Sequence, residues 1–115
     1  MKIALLDDVK SRRTQIVEGL GKHYDVLICA TSNDLINAVQ NGKNELFLIE
    51  VETWNKGKSI YNYLNLSKKL EKKPIIFYNA EEGFANLPER AKNEKDQILR
   101  KPTEVQAVID TVQKM

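Results

Sequence analysis

The stretch Ile3-Ala4-Leu5-Leu6-Asp7-Asp8 decides the fold of this chain. Four apolar residues in a row are typical of a strand that is buried on both faces, because a strand with one solvated face would alternate apolar and polar residues. The two carboxylates that follow mark the point where the strand leaves the core. The stretch therefore predicts a strand of a parallel sheet, with Asp7 and Asp8 at its carboxyl end.

Four further apolar runs have the same continuous character and predict four more strands. They are Val26 to Cys29, Leu46 to Ile49, Ile75 to Tyr78 and the shorter pair Ile98-Leu99. Between these runs, apolar residues recur at helical spacing in four segments. Their members are Ile16, Val17 and Leu20; Leu35, Ile36 and Val39; Ile60, Tyr63, Leu64 and Leu70; and Val105, Val108, Ile109 and Val112. Such alternation predicts an α/β fold, with one doubly wound parallel sheet and helices on both faces.

Local signals place several helix ends. Thr31 or Ser32 is predicted to start the second helix, Gly42 to end it, and Thr103 to start the last one. Another short helix is predicted to begin near Pro88, in a segment that is poor in apolar residues.

Composition limits the class of protein. A chain of 115 residues, 42% of them apolar, suits one domain over residues 1–115, with a single core that needs no disulfide or structural metal. The lone Cys29 lies in an apolar run, which favours a core position and a reducing compartment. The chain start is unlike a signal peptide and no apolar stretch nears membrane-spanning length, so we expect a cytoplasmic protein without membrane contact. A net charge of +2 does not indicate nucleic-acid binding.

Polar side chains follow four of the five predicted strands. Asp7 and Asp8 follow the first strand, Glu50 the third, Asn79 the fourth and Lys101 the fifth. In a parallel α/β sheet the carboxyl ends of the strands line one crevice, where sites form. These residues are therefore expected to meet in one pocket. A nucleotide site is not indicated, because no Gly-rich loop follows the first strand.

Four segments of the chain resemble the signature segments of the receiver domain of two-component response regulators. They are Leu5 to Asp8, Phe47 to Glu50, Ile76 to Ala80 and Leu99 to Pro102, and the match spans essentially the whole chain. The resemblance implies the flavodoxin-like strand order 2-1-3-4-5. It also implies a site in which an acidic pair holds Mg²⁺, an aspartate accepts a phosphoryl group, and a lysine pairs with both acceptor and phosphate.

Carried over position by position, the resemblance is incomplete. Asp7 and Asp8 match the acidic pair, with Asp8 the more direct metal ligand, and Lys101 matches the lysine; carboxylate oxygens are the donors that Mg²⁺ prefers. Three other positions depart from the family. They are Glu50 in place of the phosphoacceptor aspartate, Asn79 in place of a hydroxylic residue, and Ile98 in place of the aromatic switch residue.

The glutamate is the departure with the largest consequence. Its side chain is one C–C bond longer than that of aspartate, about 1.5 Å. In-line phosphoryl transfer loses roughly 100-fold in rate when the nucleophile is misplaced by about 1 Å. The longer carboxylate of Glu50 is instead expected to reach Lys101 and form a constitutive ion pair. No cofactor is predicted, and any Mg²⁺ at Asp7 and Asp8 is expected to bind weakly.

These departures favour an atypical, degenerate receiver domain, a pseudo-receiver that is not an enzyme. It would act in signal transduction through phosphorylation-independent protein–protein interaction. Its partner would be another signalling protein, with a homodimer as a further arrangement. The alternative is a receiver that still performs Mg²⁺-dependent phosphotransfer in a two-component phosphorelay, and the retained Asp7, Asp8 and Lys101 favour that alternative.

Three features indicate where a partner would bind. Trp54 follows Glu50 in a predicted loop, and an exposed Trp is a typical interface anchor, although it would also serve as a roof for the pocket. Tyr61 lies off the apolar stripe of the third predicted helix and would extend the same patch. Lys10, Arg12 and Arg13 open the first helix, where the helix dipole disfavours cations, which points to solvent or to the acids of a partner.

Overall fold

The computed structural model describes residues 1–57, 70, 72–85 and 93–115. It contains five strands, which are β1 (Lys2–Leu6), β2 (Asp25–Cys29), β3 (Leu46–Glu50), β4 (Ile75–Ala80) and β5 (Gln97–Arg100). All pairings are parallel, and the sheet order is β2-β1-β3-β4-β5. The predicted α/β class and strand order are confirmed. The helix predicted near Pro88, and all of the third predicted stripe except the buried Leu70, lie outside the described residues.

Four α-helices are present in the described part of the chain. They are α1 (Lys10–Leu20), α2 (Ser32–Asn41), α3 (Val51–Lys56) and α4 (Val105–Gln113), with a 3₁₀ turn at Gly21–His23 after α1. The start of α2 is a capping box, because the hydroxyl of Thr31 accepts the N–H of Asp34 and the carboxylate of Asp34 accepts the N–H of Thr31. Gly42 ends α2 with φ 69°, a left-handed conformation that glycine adopts without strain.

Two local predictions are wrong. Helix α4 follows Glu104 instead of Thr103, whose hydroxyl donates to the carbonyl of Arg100 at 2.9 Å. The segment after Glu50, predicted as a loop, is helix α3. That helix begins directly after β3 because the Glu50 carboxylate accepts the N–H of Thr53 and thereby caps it. Glutamate is not among the preferred capping residues, so no usual start signal marks this helix in the sequence.

Successive residues of the central strands enter two separate cores. This is the two-residue period of a strand with both faces covered. One core contains Ala4, Leu6, Phe47, Ile49 and Phe77 with Leu35, Val39 and Trp54 from α2 and α3; the other contains Ile3, Leu5, Leu48, Ile76 and Tyr78 with Ile16, Leu20, Val108, Ile109 and Val112 from α1 and α4. The doubly wound arrangement is therefore confirmed, and Cys29 lies buried in the first core as predicted.

Strand β2 is less buried than its apolar run predicts. Leu27 and Ile28 are each 45% exposed, whereas β1, β3 and β4 are almost wholly covered. The reason is position, because β2 is an edge strand and only β1 pairs with it. A continuous apolar run does not distinguish an edge strand from a central one.

A search of the described residues finds no helix that is both long enough and apolar enough to span a bilayer.

Candidate functional site

The carboxylate of Asp7, directly after β1, is held by four hydrogen bonds. It is fully buried. Arg12 approaches it in bidentate fashion, with Nε 2.6 Å from Oδ2 and Nη2 2.9 Å from Oδ1. The N–H of Val9 donates to Oδ1 at 3.0 Å, and the hydroxyl of Tyr78 donates to Oδ2 at 2.5 Å. A charge with no solvent contact is thus paired and hydrogen-bonded on both oxygens, as burial of a carboxylate requires.

Arg12 reaches the pocket from the first turn of α1. Its hydrogen bonds to Asp7 raise the pKa of the guanidinium above its ordinary value, although partial burial opposes them. The same guanidinium lies 3.6 Å from Oε1 of Glu50. The adjacent Arg13 donates to the backbone carbonyl of Asp7 at 2.9 Å. The interpretation of these two arginines as cations that await solvent or a partner's acids is therefore wrong, because the chain itself supplies their acceptors.

Tyr78 closes the other side of Asp7 from strand β4. Burial raises the pKa of its hydroxyl, and the neighbouring charge of Asp7 raises it further. The phenol therefore remains protonated and donates to the carboxylate throughout the neutral and moderately alkaline range.

Glu50, the last residue of β3, is fully buried and both of its oxygens are engaged. Oε1 accepts from the backbone N–H and the hydroxyl of Thr53, each at 2.7 Å. Oε2 accepts from the side-chain amide of Asn79 at 3.0 Å. These contacts, which cap α3 and reach Asn79 of β4, hold the carboxylate of Glu50 inside the protein.

Asn79 connects Glu50 to the segment that follows β5. Its backbone is left-handed, with φ 53°, a conformation that asparagine tolerates better than most residues. Its amide oxygen accepts the N–H of Thr103 at 2.9 Å, and its own N–H donates to the hydroxyl of Thr103 at 2.9 Å. We call the set Asp7, Arg12, Glu50, Tyr78 and Asn79 the pocket floor; all of its members are buried except Arg12, which is partly exposed.

Two exposed ion pairs form the pocket rim, which we define as Asp8, Lys56, Glu52 and Lys101. Lys56 Nζ lies 2.5 Å from Oδ2 of Asp8. This hydrogen bond lowers the pKa of Asp8 and raises that of Lys56. The second pair joins Lys101 to Glu52, and it raises the pKa of Lys101. The expected pairing of Lys101 with Glu50 is therefore wrong, because in the described residues Glu50 turns toward Thr53 and Asn79 while Glu52 points to the lysine.

The predicted interface and switch residues differ in where the structure places them. Trp54 is only 2% exposed and packs in the first core, so its interpretation as an exposed anchor is wrong; the unexpected helix α3 turns its side chain inward. Ile98 is half-buried against the same core. Tyr61 lies outside the described residues.

Carboxylates of Asp7, Asp8 and Glu50 approach one another closely enough to suggest a metal site. One oxygen from each lies within 4.8 Å of the others. Cations of the chain already hold two of the three groups, however, with Arg12 on both oxygens of Asp7 and Lys56 on Asp8. Thr53 and Asn79 hold the third. The donor set has the chemistry for Mg²⁺, but the arrangement does not fit a bound ion.

Four residues take part in this network although the sequence did not predict it; they are Arg12, Thr53, Tyr78 and Thr103. A signal existed for Arg12 alone, because a cation in the first turn of a helix, close after a buried acid, has a ready partner. The others depend on which strand ends meet and on the position of α3, neither of which local patterns record.

Comparison with known proteins gives structural matches only. No protein-family model matches the sequence, and neither does any curated protein. The signal receiver domain of a putative LuxO repressor protein from Vibrio parahaemolyticus superposes with a TM-score of 0.71 at 17% identity, over 98% of this chain and 87% of that one. This chain has the receiver fold.

Two further structures share the receiver fold. The chemotaxis response regulator CheY4 of Vibrio cholerae superposes with a TM-score of 0.70 at 18% identity. The match covers 98% of this chain and 96% of the CheY4 chain. A signal receiver domain of a two-component histidine kinase from Clostridium thermocellum has a TM-score of 0.68 and 15% identity, covering 98% and 94%. At these identities the similarity establishes the fold alone, and the function of the site depends on its own residues.

Proposed function

We propose that residues 1–115 form a degenerate receiver domain that acts in signal transduction by binding another protein, without being phosphorylated. The observation that carries the proposal is the engagement of Glu50. A phosphoacceptor needs a carboxylate oxygen that is free to approach a phosphodonor in line. Both oxygens of Glu50 accept hydrogen bonds inside the protein, and its side chain is almost wholly buried.

The surroundings of Glu50 support the same proposal. Phosphoryl transfer depends on cations placed around the transferring group. Here Arg12 binds Asp7 and Lys101 binds Glu52, so these cations already have partners within the chain. Moving either of them to a phosphoryl group would require breaking an existing ion pair. Such an arrangement suits a fixed binding surface better than it suits phosphoryl transfer.

The competing function is Mg²⁺-dependent phosphotransfer in a phosphorelay. One observation favours it, namely the approach of the Asp7, Asp8 and Glu50 carboxylates to within 4.8 Å. It would require at least one oxygen of Glu50 to be released, either from the cap of α3 or from the contact with Asn79. We therefore rank it second.

The test is incubation of the protein with acetyl phosphate and Mg²⁺, followed by intact-mass spectrometry. We expect no adduct in the wild type. Glu50→Asp is the informative companion, because the shorter carboxylate cannot make the same contacts with Thr53 and Asn79. A stoichiometric, alkali-labile phosphoryl group mapped to Glu50 in the wild type would overturn the proposal.

The interaction half of the proposal needs a separate measurement. A partner isolated by affinity capture is to be purified and its dissociation constant determined with and without acetyl phosphate and Mg²⁺. We expect the same constant in both conditions, with weaker binding by Glu50→Ala than by the surface control Glu18→Ala. A dissociation constant that depends on the phosphodonor would contradict the proposal.

A further inference from the structure

We propose that Arg12 is the resident cation of the acidic cluster Asp7, Asp8 and Glu50, and that the cluster binds a divalent metal only when Arg12 is removed. This inference goes beyond the proposed function, because it concerns the charge balance of the pocket and holds whichever partner the domain binds. It also differs from a vacant metal site, since the pocket contains its own positive charge.

The acidic cluster requires a positive partner, whether that partner is a metal ion or a side chain. Asp7 and Glu50 are both fully buried, and the carboxylate oxygens of the cluster lie within 4.8 Å of one another. Like charges at that separation repel strongly in a medium of low dielectric constant. A buried acidic group without a positive partner would be protonated or would destabilise the fold.

Arg12 supplies that charge from beside the two buried members of the cluster. Its guanidinium binds both oxygens of Asp7, at 2.6 and 2.9 Å, and approaches Oε1 of Glu50 at 3.6 Å. It therefore touches the two buried members of the cluster at once. A guanidinium stays charged at all accessible pH values, and its two parallel N–H donors match the two oxygens of a carboxylate. Mg²⁺ instead requires ligands in a near-ideal octahedral geometry.

The position of Arg12 in the helix strengthens the inference. It lies in the first turn of α1, where the dipole of the helix disfavours a positive charge. Within the described residues, the neighbouring Arg13 donates to the backbone carbonyl of Asp7 and to no carboxylate of the cluster. The two arginines thus form a matched pair for experiment, equal in charge and adjacent in sequence, of which only Arg12 binds the cluster's carboxylates.

The experiment titrates the wild type, Arg12→Ala, Arg12→Lys and Arg13→Ala with Mn²⁺, and follows free Mn²⁺ by electron paramagnetic resonance. We expect only Arg12→Ala to gain a site, of one ion per chain, at least about 100-fold tighter than any binding by the wild type. Arg12→Lys keeps a cation beside Asp7 and is expected to remain without a site. Thermal unfolding with Mg²⁺ is the second readout, in which Mg²⁺ should raise the Tm of Arg12→Ala alone.

Several outcomes would overturn the inference. They are stoichiometric Mn²⁺ binding by the wild type, equal binding by Arg12→Lys and Arg12→Ala, and an Arg12→Ala protein that Mn²⁺ neither binds nor refolds. If Arg12→Ala is unfolded in metal-free buffer and folds on addition of Mn²⁺, the inference is supported. Metal binding by the wild type would leave the proposed function intact, whereas a phosphoryl group on Glu50 would overturn that function and not this inference.

Discussion

The pocket floor and the pocket rim contain the same kinds of charged side chains in opposite settings. On the floor, Asp7 and Glu50 are almost wholly buried and each of their carboxylate oxygens accepts a hydrogen bond. On the rim, the side chain of Lys56 is 69% exposed and that of Lys101 50%. Ion pairs in water contribute little, whereas breaking a buried pair is costly. The comparison teaches that the floor determines the structure of the pocket, while the rim is free to serve recognition.

Among the floor residues, we expect substitution of Arg12 to lower the free energy of unfolding most. Arg12→Ala leaves the Asp7 carboxylate buried without a cation, so we expect the free energy of unfolding to fall by about 3–5 kcal/mol. Urea denaturation in metal-free buffer measures it. The control Arg13→Ala loses one hydrogen bond to a backbone carbonyl and should cost about 1 kcal/mol. Equal losses in the two variants would show that the bidentate contact with Asp7 has no special weight.

Glu50 is expected to follow Arg12 in the size of its effect. Glu50→Ala removes the cap of α3 and leaves the amide of Asn79 without its acceptor, which together should cost about 2–4 kcal/mol without preventing folding. The isosteric Glu50→Gln can keep only one of these contacts, since its amide end would face the donor of Asn79. It should therefore fall between Glu50→Ala and the wild type in urea denaturation. A Gln variant as stable as the wild type would break the account of the floor.

Tyr78→Phe tests the floor with the smallest change of shape. Loss of the hydroxyl that donates to Asp7 should cost about 1.5 kcal/mol at neutral pH. The pKa of Tyr78 is raised in the folded state, so the stability it contributes is complete below its ordinary pKa of 10.0. That contribution falls as pH rises above 10.0, because the unfolded chain then loses a proton that the folded chain keeps.

The pH dependence gives Tyr78→Phe a signature that a simple packing defect would lack. Stability curves measured by urea denaturation between about pH 8 and 11 should converge at the alkaline end, because the variant has no phenol to ionise. Parallel curves for wild type and variant would contradict a raised pKa of Tyr78 in the folded state, which burial and the charge of Asp7 together cause.

The rim predicts the smallest effects on stability. Lys56→Ala and Lys101→Ala should each leave the urea midpoint unchanged, because exposed pairs are screened by water and salt. If the rim serves recognition, the same variants should weaken binding to a purified partner, as measured by calorimetry. A large loss of stability in either variant would remove the distinction between floor and rim.

Much of this architecture could be predicted from short patterns of sequence. The continuous run Ile3 to Leu6 and its four counterparts each fall in a strand of the sheet, although only β1, β3 and β4 are almost wholly buried. Thr31 and Gly42 likewise marked the ends of α2. Convergence of Asp7, Asp8, Glu50 and Asn79 at one edge followed from the topology of a parallel sheet.

Two of the errors share a physical cause, which is that a long side chain has several partners within reach in three dimensions. Glu50 was expected to meet Lys101 but caps α3 instead, and Lys101 meets Glu52. Trp54 was expected in a loop, and the helix formed by that cap turned it into the core. One unforeseen contact, from Glu50 to the N–H of Thr53, therefore accounts for both errors.

The most direct test of the central claim, that the chain's own groups already fill this pocket, is a crystal structure grown with Mg²⁺ and beryllofluoride. The account predicts Arg12 on Asp7 and Glu50 on Thr53 and Asn79, with no ion beside Asp8. A beryllofluoride adduct on Glu50, with Mg²⁺ between it and the acidic pair, would contradict it.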